Sequence, residues 1–148
     1  MHTVANVTPA ASARGVSLLV VEDDPVDVEN LRRALLRTKL PYQVVNARDG
    51  IEALAILREP HPPAKRQLVL LDIGMPRMNG LEFLRELRAD PALRDTPVVI
   101  LTTSTAEEDR REAYELHVAG YLVKPIRFES FVELIAGLME YWTHAELP

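Results

Sequence analysis

Four apolar residues, Leu68-Val69-Leu70-Leu71, run without interruption into Asp72, and Gly74 and Pro76 follow at once. A short, wholly apolar run of this kind predicts a strand buried on both faces, with Asp72 at its carboxyl end. A carboxylate there can serve as a metal ligand, as a nucleophile or as a cap for the next helix. Three other runs end in side chains with chemistry of their own. Ser17-Leu18-Leu19-Val20-Val21 leads into Glu22-Asp23-Asp24, Val98-Val99-Ile100-Leu101 into Thr102-Thr103, and Gly120-Tyr121-Leu122-Val123 into Lys124. Carboxylates gathered at one place cannot all stay ionised without a cation, which points to a hard divalent metal. Magnesium suits oxygen ligands that leave positions open for water and phosphate. A carboxylate beside such a metal can attack phosphorus and become an aspartyl phosphate. A lysine and a hydroxyl then supply the neutralisation a transferring phosphoryl group needs.

The elements between these runs decide whether the side chains meet. Pro25 starts a helix with Asp24 as its N-cap, and Val28, Leu31, Ala34 and Leu35 form its inner face. Tyr42-Gln43-Val44-Val45 reads as a short strand. Asp49 and Glu52 open a helix carrying Ile51, Leu54, Ala55 and Leu57, and Asn79 and Glu82 open one carrying Leu81, Leu84 and Leu87. Thr105 and Glu108 have the same spacing before a polar helix ending near His117, and a last helix spans about 128–141. Strand and helix alternate five times, which predicts parallel strands with right-handed crossovers. The fold class expected is α/β: a doubly wound, flavodoxin-like, five-stranded parallel sheet in the order 2-1-3-4-5 with five helices. Ligands bind such sheets at the carboxyl ends of the strands. Glu22, Asp23, Asp72, Thr102, Thr103 and Lys124 all fall there.

Taken in order, Val20-Val21-Glu22-Asp23-Asp24, Leu70-Leu71-Asp72-Ile73-Gly74-Met75-Pro76-Arg77-Met78-Asn79-Gly80, Ile100-Leu101-Thr102-Thr103 and Gly120-Tyr121-Leu122-Val123-Lys124-Pro125 resemble the receiver domain of two-component response regulators. The resemblance runs over residues 17–141, nearly the whole chain. It implies that Asp72 is the phosphoacceptor for a histidine kinase. It further implies that Glu22, Asp23, Asp72 and the Gly74 carbonyl hold Mg2+, and that Thr102 and Lys124 contact the phosphate. Tyr121 matches the aromatic switch position, and the bond before Pro125 is usually cis in the family. Two positions depart from the common pattern: Gly74 stands where many receivers carry a polar side chain, and Thr103 where many carry Ala or Gly. Both border the phosphate, so they bear on its lifetime. Residues 21–27, 81–101 and 141–148 are similar to the single-domain regulators that partner bacterial and cyanobacterial phytochromes.

Charge and composition bound the alternatives. The 148 residues carry a net charge of −5 and no cysteine. An acidic balance argues against a nucleic-acid surface, the lack of cysteine excludes thiolate chemistry, and a cytoplasmic setting fits. No apolar run approaches the roughly 20 residues of a membrane span. Residues 1–15 are expected to be a disordered extension, 16–142 the receiver, and 143–148 a tail. A phosphatase forming an aspartyl phosphate wants a second Asp where Gly74 stands, and neither GxxxxGK[ST] nor GxGxxG occurs. Autodephosphorylation is expected of the receiver, but no separate enzymatic activity. A phosphate sink or relay intermediate is the alternative role. Scattered His2, His61, His117 and His144 have no ligand spacing, and Arg85, Arg88, Arg110 and Arg111 read as solvated helix faces. Phe128, Phe131, Val132, Ile135, Leu138, Met139 and Trp142 give the last helix a stripe wider than one sheet face covers. Dimerisation through this helix and the tail is therefore expected.

Overall fold

A computed structural model of the chain describes residues 3–7, 16–60, 66–75 and 78–145. In chain order the elements are β1 (Thr3–Val7), β2 (Val16–Val21), α1 (Pro25–Leu36), β3 (Tyr42–Ala47), α2 (Gly50–Arg58), β4 (Arg66–Leu71), α3 (Gly80–Ala89), β5 (Val98–Thr102), α4 (Glu107–Glu115), β6 (Gly120–Val123) and α5 (Phe128–His144). The sheet order is β1-β3-β2-β4-β5-β6. The five strands from β2 onward are parallel, and counted alone they run 2-1-3-4-5 as expected.

Side-chain alternation along the strands divides the core into two layers. From β4, Leu68 and Leu70 face α1 and α5, together with Val20, Leu31, Leu35, Ile135 and Met139. Val69 and Leu71 point the other way, into Leu54, Phe83, Leu84, Leu87 and Ala113 of α2, α3 and α4. No residue from Leu68 to Leu71 is more than 2% exposed, so the central strand is covered on both faces. Each such side chain contributes on the order of 1.5–3 kcal/mol by leaving water.

Local signals set the helix starts. Asp24, Asp49 and Asn79 each accept a backbone N–H from the first turn, and Asn79 with Glu82 completes a capping box. Gly80 opens α3 directly beneath Ile73: a Cβ there would collide with the Ile73 backbone and lie 2.7 Å from the Asp72 carbonyl oxygen. The loop after Asp72 can therefore fold back onto α3.

Several expectations are corrected. The start of the chain was read as disordered, yet Thr3–Val7 pairs antiparallel with β3, with an irregularity between Val4 and Asn6. Its backbone pairs along the otherwise open edge of β3; residues 1, 2 and 8–15 lie outside the described residues. Thr105 does not cap α4. The N-cap is Ala106, which has no side-chain acceptor, and the Ser104 hydroxyl accepts the Ala106 N–H at 3.2 Å. On α2, Ile51 and Ala55 face solvent while Ala53 and Ile56 are buried. Apolar residues at 51 and at every position from 53 to 57 left the helix phase unreadable. The last helix continues to His144, past the expected domain end at 142, and residues 146–148 of the tail lie outside the described residues. No peptide bond among the described residues is cis, so the bond before Pro125 is trans. Arg88 is not a solvated face: its guanidinium donates to the carbonyls of Arg94, Thr96, Leu116 and His117 at 2.7–3.1 Å.

Candidate functional site

The sheet's hydrogen bonding continues past the strand ends and carries the acidic residues with it. Asp72 donates its N–H to the Val21 carbonyl at 3.1 Å, and Glu22 donates its own to Ala47 at 2.9 Å. Asn46 fastens the same corner, its amide donating to the carbonyls of Val20, Glu22 and Ala47. At the far side the Lys124 N–H reaches the Thr102 carbonyl at 2.7 Å. Four strand ends thus deliver Glu22, Asp72, Thr102 and Lys124 to one place.

Glu22, Asp23 and Asp72 each present a carboxylate oxygen, all within 4.8 Å of one another. Glu22 is buried, Asp72 partly buried and Asp23 exposed. Burial raises the Glu22 carboxyl to about 7, against the pull of the Lys124 hydrogen bond and charge, and the Asp72 charge adds to the rise. Such a trio fits a divalent cation, whose charge would offset the mutual repulsion of the three carboxylates.

Asp72 is contacted from three sides. Its Oδ1 accepts from the Thr102 hydroxyl and from the Gly74 N–H, both at 3.1 Å, and its Oδ2 lies 3.7 Å from Lys124 Nζ. Thr102 is buried and its hydroxyl also accepts the Ser104 N–H at 3.3 Å. Lys124 is held closest by Glu22 Oε1 at 2.7 Å. Burial pulls the lysine pKa down, but Glu22, Asp72 and Asp27 outweigh it and the net shift is upward. Gly74 is exposed, and among the described residues a Cβ there would meet Asp72 Oδ1 alone, at 3.8 Å. Thr103 is exposed and lines a cleft of about 490 Å³ between α1, α5 and the strand ends. Tyr121 packs partly buried against the α2–α3 layer and donates its hydroxyl to the Ser104 carbonyl at 3.1 Å.

The chain matches the family model of the response regulator receiver domain over residues 18–136. It belongs to that family. The chain is 39% identical to a probable methanogenesis regulatory protein, FilR2, of Methanothrix harundinacea over 128 residues, covering 84% of this chain and 82% of the relative. It is 34% identical to the response regulator Rcp1 of Synechocystis over 128 residues, covering 84% and 87%. Among solved structures, the phosphorylated cyanobacterial phytochrome response regulator RcpA superposes with a TM-score of 0.81 at 36% identity, covering 90% of this receiver and 99% of RcpA. Rcp1 in its Mn(2+)-bound form gives 0.78 at 33% identity, with coverage of 90% and 99%.

Two residues of this receiver's site escape a sequence reading. Asn46 looks like an ordinary strand residue, and only the three carbonyls around its amide identify it as a brace. Asp27 looks like a polar helix position, yet its Oδ2 lies 3.4 Å from Lys124 Nζ. The signal for Asp27 was available: Asp24 and Pro25 fix the start of α1, which puts Asp27 in the first turn, beside the strand end that bears Glu22.

Proposed function

We propose that this receiver takes a phosphoryl group from the phosphohistidine of a histidine kinase onto Asp72, with Mg2+ held by Glu22, Asp23, Asp72 and the Gly74 carbonyl. The observation that carries the reading is the set of contacts on Asp72: one hydroxyl, one backbone amide and one ammonium converge on a carboxylate that also belongs to the acidic trio. A carboxylate oxygen of Asp72 attacks phosphorus, the phosphorus–nitrogen bond to the imidazole breaks, and the leaving imidazole regains a proton. Bound Mg2+ supplies positive charge for the phosphoryl oxygens. Lys124 and Thr102 bind and orient the same oxygens, and Thr103 stands at the mouth of the cleft. Water reaches the acyl phosphate past Gly74, which supports autodephosphorylation.

Signalling follows from the same contacts. Thr102 turns its hydroxyl to the phosphoryl group, which loosens its bond to the Ser104 amide and shifts the loop that Tyr121 also holds. The likeness to Rcp1 and RcpA supports a phytochrome-type kinase as donor, in a cytoplasmic setting. Phe128 and Tyr141 stay exposed on α5, at 36% and 66%, which supports a homodimer through this helix and the tail. A mass independent of concentration in light scattering, with and without phosphate, would remove the dimer. Incubation with acetyl phosphate and Mg2+ is expected to add one phosphate to the wild-type chain and none to Asp72→Asn. Labelling that survives the substitution overturns the acceptor assignment.

A further inference from the structure

The Lys124 ammonium has three N–H donors and three carboxylates around it: Glu22 at 2.7 Å, Asp27 at 3.4 Å and Asp72 at 3.7 Å. Two of the three belong to the acidic trio. When a cation is bound, Glu22 shares its charge with it, and when Asp72 is phosphorylated its carboxylate becomes an acyl phosphate. Asp27 stands outside both changes. It lies in the first turn of α1, where the Asp24 cap and Pro25 fix the backbone and the helix dipole favours a negative charge. Its carboxylate also lines the cleft beside Lys124 and Asp72.

We propose that Asp27 is a positioning residue for phosphoryl acceptance: it holds the Lys124 ammonium within reach of Asp72 while Glu22 turns to the metal. The lysine stem has four rotatable bonds, and an ammonium that is not tethered spreads over many rotamers. Asp27 is the tether whose charge and contacts stay constant through the cycle. It is not one of the three converging carboxylates, and it acts through Lys124 alone. The inference rests on Asp72 being the acceptor.

The test is the rate of phosphorylation of the full chain by acetyl phosphate and Mg2+. Asp27→Ala is expected to slow it about fivefold, the scale of a partly exposed ion pair. Asp27→Glu, which keeps the charge, is expected to restore most of the rate. In a Lys124→Ala background, Asp27→Ala is expected to add nothing, because its effect passes through the lysine. Mg2+ affinity by calorimetry is expected to be unchanged by Asp27→Ala. A wild-type rate in Asp27→Ala overturns the inference. So does a slowing that persists without Lys124, or one matched by a loss of Mg2+ affinity. If Lys124→Ala does not fold, failure of Asp27→Glu to restore the rate overturns it. Asp72→Asn is run alongside: label on that variant brings down the acceptor reading itself, whereas a normal Asp72 result with a silent Asp27→Ala brings down this inference alone.

Discussion

Helices α4 and α5 lie against opposite faces of the sheet, and they are held by different forces. Neither has a side-chain cap at its start. α5 buries Phe131, Val132, Ile135, Met139 and Trp142, whereas α4 buries Ala113. What α4 lacks in apolar area is replaced by polar contacts. Arg85 pairs with Glu112, Arg88 holds the carbonyls of Leu116 and His117, and Ser104 donates to Asp109 at 2.7 Å. The two ends of α4 differ again. The Arg88 end is remote from Asp72, and His117 there adopts a φ of 61° that ends the helix. The Ser104 end is a single hydrogen bond from Thr102. Burial of area is lost only when a helix leaves its layer, but a hydrogen bond can be exchanged for another of similar strength. A local event at Asp72 therefore has a hydrogen-bonded route to α4 through Thr102 and Ser104, whereas α5 is held by burial.

The largest effect expected from this contrast is on α5. Ile135 is fully buried between the sheet and α1. Ile135→Ala is expected to cost about 2–5 kcal/mol of global stability, read from urea denaturation. If the loss is confined to faster exchange within α5, with the global midpoint unchanged, α5 is not an integral part of the core and the contrast fails.

Arg88→Ala comes next. It leaves four carbonyls from two segments without their donor, and a loss of about 1–3 kcal/mol is expected. Its signature is local: amides near Leu116, His117 and Val118 exchange faster, while phosphorylation of Asp72 proceeds at the wild-type rate. A change in that rate would mean that the remote end of α4 is coupled to the site after all.

Much of this contrast was legible in the sequence, but not the clasp. The apolar stripe of α5 and the sparse one of α4 are visible as residue types, and so are the four strands that end in Glu22, Asp72, Thr102 and Lys124. Uninterrupted runs such as Leu68 to Leu71 must be covered all round, and their shortness, with Gly74 and Pro76 close behind, favours a doubly covered strand over a buried helix. Arg88 was misread because helix spacing does not distinguish a guanidinium in water from one among carbonyls. Its partners are residues 94, 96, 116 and 117, brought together only by the turn after α3 and the end of α4. Thr105 was misread because its spacing to Glu108 imitates a capping box, while Ser104, one residue earlier, has Asp109 as a partner. Asp27 and Thr3–Val7 share the same cause: each takes its meaning from a neighbour distant in the chain, Lys124 in one case and the open edge of β3 in the other.

The smallest effect expected is at Ser104, and it bears most directly on how α4 responds. The Ser104 hydroxyl donates to Asp109 and accepts from the Ala106 N–H, whereas its backbone N–H and carbonyl bind Thr102 and Tyr121. Ser104→Ala removes the first pair and leaves the second. The loop stays attached to the site and to the aromatic ring but is cut from the first turn of α4. Stability is expected to fall by about 1 kcal/mol or less. Amides of residues 107–110 are expected to exchange about fivefold faster, the same free energy read locally. The rate of phosphoryl uptake at Asp72 stays as it was, since the Thr102 hydroxyl is still in place. The decisive measurement is the change in exchange across α4 on phosphorylation. It is expected to be large in the wild-type chain and small in Ser104→Ala, because the helix start is already released. An equal change in both chains would mean that the signal reaches α4 by a path that bypasses Ser104, and that its polar tether is not what makes this helix responsive.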